Sequence, residues 1–158
     1  MSGQRWILLA EDNANDADLT LRALSANQSP NEVILAADGV EALDCLYRRG
    51  AFQSREDSPP AVVLLDLKMP KVDGLEVLRQ IKNDAALKSI PVVIFTSSRE
   101  RLDLARTYQL GANAYVVKPL SFQDFVSALK DVKKFWLLIN EPPPRDGLTA
   151  SEPPARAA

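Results

Sequence analysis

The segment AVVLLDLKMPKVDGLEVLRQI, residues 61–81, contains one complete strand–turn–helix transition. Ala61 to Leu65 is an unbroken apolar run closed by Asp66, and Pro70 and Gly74 punctuate a turn. Leu75, Leu78 and Ile81 then recur at helical spacing. An apolar strand without alternation is expected where both faces of a sheet are covered. The same unit recurs on either side of this segment. Strands are expected at Trp6–Ala10, Glu32–Ala36, Ala61–Leu65, Val92–Thr96 and Ala114–Val117, with helices filling the intervals. The first helix is expected at about 15–25, and the second runs from Asp38, a good N-cap, to a stop before Gly50. The third follows Gly74, and the fourth covers about 99–110 and ends at Gly111. The fifth starts near Ser121 and turns Phe122, Phe125, Val126, Leu129 and Val132 inward. Five βα units predict an α/β fold, (βα)5, with a parallel sheet and right-handed crossovers that place helices on both faces.

With 158 residues, 46% of them apolar, the chain fits one domain that buries a core without disulfides or a structural metal. The formal charge is −2 and Lys and Arg are dispersed, so the basic block needed to neutralise a phosphate backbone is missing and nucleic acid is not an expected partner. Residues 1–5 do not have the layout of a signal peptide, and no apolar run approaches the roughly 20 residues that span a bilayer. No membrane association and a cytoplasmic location are expected. Cys45 lies among Val40, Leu43, Leu46 and Tyr47, where a thiol is a small hydrophobe without a redox role. The sequence has no histidine, which leaves only carboxylates and hydroxyls as phosphoryl acceptors. Residues 48–60 are rich in charge, Ser and Pro and are expected to form an exposed loop. The domain is expected over 5–140, followed by a Pro-rich tail, 141–158, with too little apolar surface to offset the entropy of ordering.

In an open α/β sheet, ligands bind beyond the carboxyl ends of the strands, where strand order reverses. Strand one ends in Glu11-Asp12, strand three in Asp66, strand four in Thr96 and strand five in Lys118-Pro119, so these polar groups share one rim. Glu11, Asp12 and Asp66 would raise one another's pKa unless a cation joined them. Oxygen ligands with water and phosphate completing an octahedron suit Mg²⁺ better than zinc. A phosphoryl group on Asp66 would have the metal on one side, the Lys118 ammonium on another and the Thr96 hydroxyl as a donor, an arrangement that stabilises transferring phosphoryl charge.

Glu-Asp-Asn after strand one, Leu-Leu-Asp-Leu-Lys-Met-Pro-Lys-Val-Asp-Gly at 64–74, Phe-Thr-Ser-Ser at 95–98 and Val-Lys-Pro at 117–119 together resemble response-regulator receiver domains, over roughly residues 5–140. The resemblance implies a CheY-like, doubly wound flavodoxin-like fold with its five-stranded parallel sheet in the order 2-1-3-4-5. It implies that Asp66 accepts phosphate, that Asp12 binds Mg²⁺ directly and Glu11 through water, and that Lys68 offers its main-chain carbonyl. Thr96 and Lys118 would contact the phosphoryl oxygens, and Thr96 would couple to Tyr115, an aromatic that turns inward. The Lys118–Pro119 bond would be cis. Lys68 and Ser98 stand where the family tunes dephosphorylation. The long loop before strand three and Lys-Lys-Phe-Trp-Leu-Leu-Ile at 133–139 resemble response regulators of bacterial phytochromes in particular.

Bland readings compete at several positions. Glu11 and Asp12 alone would be first-turn carboxylates favoured by a helix dipole, but Asp66 on the same rim reverses that reading. Asp73 is expected as an N-cap or turn residue outside the site. Thr96 could be an ordinary strand residue and Lys118 a solvated one, but the shared rim favours function for both. Phe135, Trp136, Leu137, Leu138 and Ile139 exceed one buried stripe; the bland reading folds this helix end back on its own domain, and the favoured one packs Phe135, Trp136, Leu138 and Ile139 on a second copy, giving a homodimer.

The expected function is a stand-alone module that takes a phosphoryl group from a sensor histidine kinase, a bacteriophytochrome in the narrower resemblance, and signals through protein contacts. It would promote its own phosphorylation and dephosphorylation without being an enzyme acting on a separate substrate. The alternative is a phosphorylation-independent interaction scaffold. A phosphohydrolase would need a second acid two positions after the nucleophile, and Lys68 stands there.

Overall fold

The computed structural model describes residues 5–25 and 33–144. Among them are five strands, β1 (Ile7–Ala10), β2 (Val33–Ala36), β3 (Val62–Leu65), β4 (Val92–Thr96) and β5 (Ala114–Val117). They alternate with α1 (Ala14–Ser25), α2 (Gly39–Tyr47), α3 (Gly74–Asn83), α4 (Arg101–Gln109) and α5 (Phe122–Lys134). All neighbouring strands are parallel, in the order β2-β1-β3-β4-β5, which is the expected doubly wound arrangement. Chain direction across the sheet reverses at β1, so the crevice between the carboxyl ends of β1 and β3 is the expected ligand position.

Strand alternation sorts the apolar residues into two cores, one per face. Leu8, Ala10, Val63, Leu65, Val92 and Ile94 meet Leu43 and Leu46 of α2 and Val77, Leu78 and Ile81 of α3. Ile7, Leu9, Val62, Leu64, Val93 and Phe95 meet Ala23 and Leu24 of α1 and Phe125 and Leu129 of α5. Central β1, β3 and β4 are buried throughout, whereas edge strands β2 and β5 are mostly half-buried because each has a neighbour on one side only.

Helix caps follow the sequence where a side chain can reach the first turn. Asp38, Asp73 and Ser121 accept from the main-chain N–H three residues on, so Asp73 is an N-cap, as one of its two readings had it. At the far end of α2 the expectation is corrected. The left-handed residue that closes the helix is Arg48 (φ 54°), and Gly50 (φ 61°) instead opens a short 3-10 turn, Gly50–Phe52.

The loop over 48–60 is mostly exposed, as expected, and Arg55 organises it. Arg55 donates to the carbonyls of Cys45, Glu56 and Ser58, and its guanidinium lies 4.9 Å from the Trp6 ring centroid. Cys45 is fully buried, and burial pushes its thiol pKa up to about 11.

Two further expectations need correction. Phe122, assigned to the inward stripe of α5, is 63% exposed because it stands on the first turn right after the Ser121 cap, while Phe125 and Leu129 carry the burial. The Lys118–Pro119 bond is trans, the isomer intrinsically favoured for X–Pro, and no cis peptide bond occurs among the described residues.

After α5 the chain widens into a π-helical turn, Phe135–Ile139. Leu137 is buried and Trp136 packs partly into the second core, whereas Phe135, Leu138 and Ile139 are exposed. Arg5 fastens this end to the start of the domain by donating to the carbonyls of Leu137 and Asn140. Most of the expected tail, residues 145–158, lies outside the described residues. No helix among the described residues is long and apolar enough to cross a membrane.

Candidate functional site

Each strand end delivers its polar residue through main-chain pairing with a neighbour. The Glu11 N–H donates to Ala36 of β2, and the Asp66 N–H donates to Ala10 of β1. The Lys118 N–H donates to Thr96 of β4 at 2.7 Å. These bonds continue the sheet one residue beyond its last ladder positions and hold the side chains on one rim.

The turn after β3 is drawn tight against the rim. Gly74 N–H donates to the Leu67 carbonyl, and a Cβ on Gly74 would lie 2.1 Å from the Asp66 carbonyl oxygen. Only glycine fits there, so the conspicuous Asp-Gly of the sequence is a packing requirement at the site itself. Lys71, at a left-handed φ of 66°, reaches back to pair with Asp38 at 3.1 Å and joins this turn to the cap of α2.

At the centre lies the Lys118 ammonium, 2.6 Å from Glu11 Oε1, 2.8 Å from Asp16 Oδ2 and 3.2 Å from Asp66 Oδ2. It also lies 5.9 Å from the Phe95 ring centroid. Glu11, Asp66 and Lys118 are all buried. Burial raises the Glu11 pKa to about 7, against the pull of Lys118 and with a further push from Asp66. For Lys118, burial opposes the charge, but the hydrogen bonds to Asp16 and Glu11 and the charge of Asp66 outweigh it and raise the pKa. A buried cation with three carboxylates around it is retained in its charged form.

Asp16 is the residue that sequence reasoning missed. It sits in the first turn of α1, and its N–H is capped by Asn13 Oδ1 at 2.9 Å. The Asn13-x-x-Asp16 spacing was a visible capping signal, but a first-turn acid is ordinarily explained by the helix dipole, which hides its second role.

Glu11, Asp12 and Asp66 each offer a carboxylate oxygen within 4.8 Å of the others. Asp12 is exposed, which leaves the cluster open to solvent on one side. An all-oxygen, open cluster fits a hard divalent cation that keeps part of its water, so the donor set matches Mg²⁺ or a similar ion. Lys68, whose carbonyl was expected to join, is exposed two residues beyond Asp66.

Thr96 is buried at the end of β4, and its Oγ accepts from Ser98 N–H at 3.4 Å. Tyr115 is half-buried, packs against the first core and donates its hydroxyl to the Ser98 carbonyl at 2.9 Å. Both sequence-assigned switch residues therefore converge on Ser98. A concavity of about 330 Å³ lined by Asp16, Lys118, Pro119 and Phe122 borders the cluster. A larger one of about 850 Å³ opens elsewhere, among Tyr47, Arg48, Arg55 and Pro91, and is lined by none of Glu11, Asp12, Asp16 and Asp66. Convergent charge, rather than cavity size, locates the site.

Comparison with known proteins agrees with this geometry. The model of the response regulator receiver domain family matches residues 7–130. The bacteriophytochrome response regulator AtBRR is 55% identical, with a TM-score of 0.70 over 89% of this chain and 100% of that one. The phosphorylated cyanobacterial phytochrome response regulator RcpA is 37% identical, with a TM-score of 0.83 over 90% of this chain and 100% of that one. Response regulator Rcp1 of Synechocystis sp. is 38% identical over 132 residues, 83% of this chain and 88% of its own length, and its structure is known in a Mn²⁺-bound form.

Proposed function

The chain belongs to the response regulator receiver domain family, and from that premise we propose that Asp66 accepts a phosphoryl group from a sensor histidine kinase. The observation that carries this reading is the Lys118 ammonium held among Glu11, Asp16 and Asp66 at the carboxyl rim of the sheet. Asp66 is the acceptor on this reading because it is the carboxylate at the end of the central strand β3, between the Lys118 ammonium at 3.2 Å and the other two carboxylates of the metal cluster, Glu11 and Asp12. In the transfer, an Asp66 carboxylate oxygen forms a bond to phosphorus as the P–N bond of the kinase phosphohistidine breaks, leaving neutral imidazole once a proton is taken up. Lys118 neutralises charge on the phosphoryl oxygens, and the Thr96 hydroxyl donates to one of them. Glu11, Asp12, Asp66 and the Lys68 carbonyl would hold Mg²⁺, which supplies further charge neutralisation when bound. Water later removes the phosphoryl group.

Similarity to AtBRR and RcpA supports a bacteriophytochrome as the kinase; the exchange would take place in the cytoplasm. The exposed side chains of Phe135, Leu138 and Ile139, with the edge of Trp136, form the surface through which a second copy would bind and the signal would leave. A monomeric mass at micromolar concentration, with and without phosphorylation, would refute that dimer.

The deciding experiment mixes the protein and its Asp66→Ala variant with each autophosphorylated histidine kinase of the source organism in Mg²⁺. Rapid labelling by a phytochrome kinase, lost in the variant, is the expected result. No labelling by any kinase or by a small-molecule phosphodonor would favour a phosphorylation-independent scaffold.

A further inference from the structure

Ser98 is buried two residues beyond Thr96, and each of its polar groups is engaged. Its N–H donates to Thr96 Oγ at 3.4 Å and its carbonyl accepts from the Tyr115 hydroxyl at 2.9 Å. Its own hydroxyl accepts from Glu100 N–H at 3.3 Å and donates to Asp103 Oδ2 at 2.6 Å. The shortest of the four contacts thus comes from α4, a helix in which Thr107 alone is fully buried. With so little apolar anchorage, the position of the β4–α4 loop depends on this polar tether.

We propose that Asp103 is a positioning residue for phosphorylation of Asp66, acting through Ser98 on Thr96; the inference rests on the phosphoacceptor role proposed above. A hydroxyl has one proton and two acceptor sites. With one acceptor site of Thr96 taken by Ser98 N–H, its proton is free to point at an arriving phosphoryl oxygen. That contact is long and weak, so it cannot hold the loop by itself. Asp103 fixes Ser98 from outside, and Tyr115 closes the same residue from the core side. A donor oriented in advance stabilises developing charge without reorganisation during transfer.

Asp103 lies in the first turn of α4, so a simple helix-capping role is the competing account. Capping alone predicts lower stability with an unchanged rate of phosphorylation. The test uses phosphoramidate and Mg²⁺ with the full chain. The Asp66 oxygen–phosphorus bond forms as the donor's P–N bond breaks, and ammonia leaves with a proton from water. Rate constants are measured for wild type, Asp103→Ala and Asp103→Asn, alongside Mg²⁺ affinity and thermal midpoint. Loss of one charge-assisted hydrogen bond should slow Asp103→Ala by about fivefold or more. Asp103→Asn, whose amide oxygen still accepts from Ser98, should stay within about twofold of wild type on the same reasoning, with Mg²⁺ affinity unchanged in both variants. Asp103→Ala labelled as fast as wild type or faster, or Asp103→Asn as slow as Asp103→Ala, overturns the inference alone. Wild-type protein that takes no phosphoryl group overturns the phosphoacceptor reading and this inference with it.

Discussion

Lys118 Nζ lies 2.6 Å from Glu11 Oε1, which puts the cation that follows β5 inside the acidic cluster formed beyond the ends of β1 and β3. The two side chains are 8% and 1% exposed, so water screens their attraction poorly and each is costly to leave unpaired. The lysine is therefore costly to strip of its carboxylates, and a divalent cation would share with it the task of neutralising the cluster.

Lys118→Met should destabilise the fold by about 3 kcal/mol, the scale for removing one partner of a buried ion pair. Urea unfolding checks this. Saturating Mg²⁺ should raise the midpoint of the variant more than that of wild type, because the added cation takes over neutralisation of Glu11 and Asp66. An equal rise in both would show that Lys118 and the metal act on separate groups.

Gly74→Ala should be more damaging than an exposed helix-start substitution, because the new Cβ would meet main-chain atoms that cannot rotate away, the nearest being the Asp66 carbonyl oxygen at 2.1 Å. Overpacking of this kind costs about 1–3 kcal/mol. Since the displaced atom belongs to Asp66, the proposed acceptor, phosphorylation should slow as well. Thermal unfolding and phosphodonor labelling read the two effects.

Arg55→Ala should loosen residues 48–60 by removing three carbonyl contacts and the stack on Trp6. A loss of about 1–2 kcal/mol is expected from charged hydrogen bonds with one cation–π contact. The variant should show a shifted Trp6 emission and faster proteolytic cutting within the loop. An unchanged digestion pattern would mean that the loop is held by its other contacts.

Cys45 should resist thiol reagents in the native protein at pH 8 and react on unfolding. Its pKa is raised from 9.0 to about 11 by burial, so the native state keeps the proton that the unfolded chain releases above pH 9. The stability contributed by this group is fully present below pH 9 and is lost as pH rises toward 11. Urea midpoints should therefore fall more steeply between pH 9 and 11 for wild type than for Cys45→Ala.

Much of this protein is legible in its chain. Apolar runs such as Val62–Leu65, followed by turns and helical stripes, establish the strands and helices, because side-chain period is a local property of each element. The rim position of Glu11, Asp66, Thr96 and Lys118 follows as well, since each ends a strand and parallel strands end together.

Only the tertiary structure decided which groups touch. Asp16 on α1 and Lys118 after β5 are 102 residues apart, and no local pattern encodes their 2.8 Å contact. The same holds for Arg55 over Trp6 and for Asp103 on Ser98. It holds too for the division of the 135–139 run into buried Leu137, half-buried Trp136 and exposed Leu138. Contact distances depend on how loop paths and helix tilts accumulate across the whole fold, and a shift of 1 Å separates a hydrogen bond from none. Sequence thus determined the elements and the rim on which the chemistry stands, and packing determined the partners of each charge.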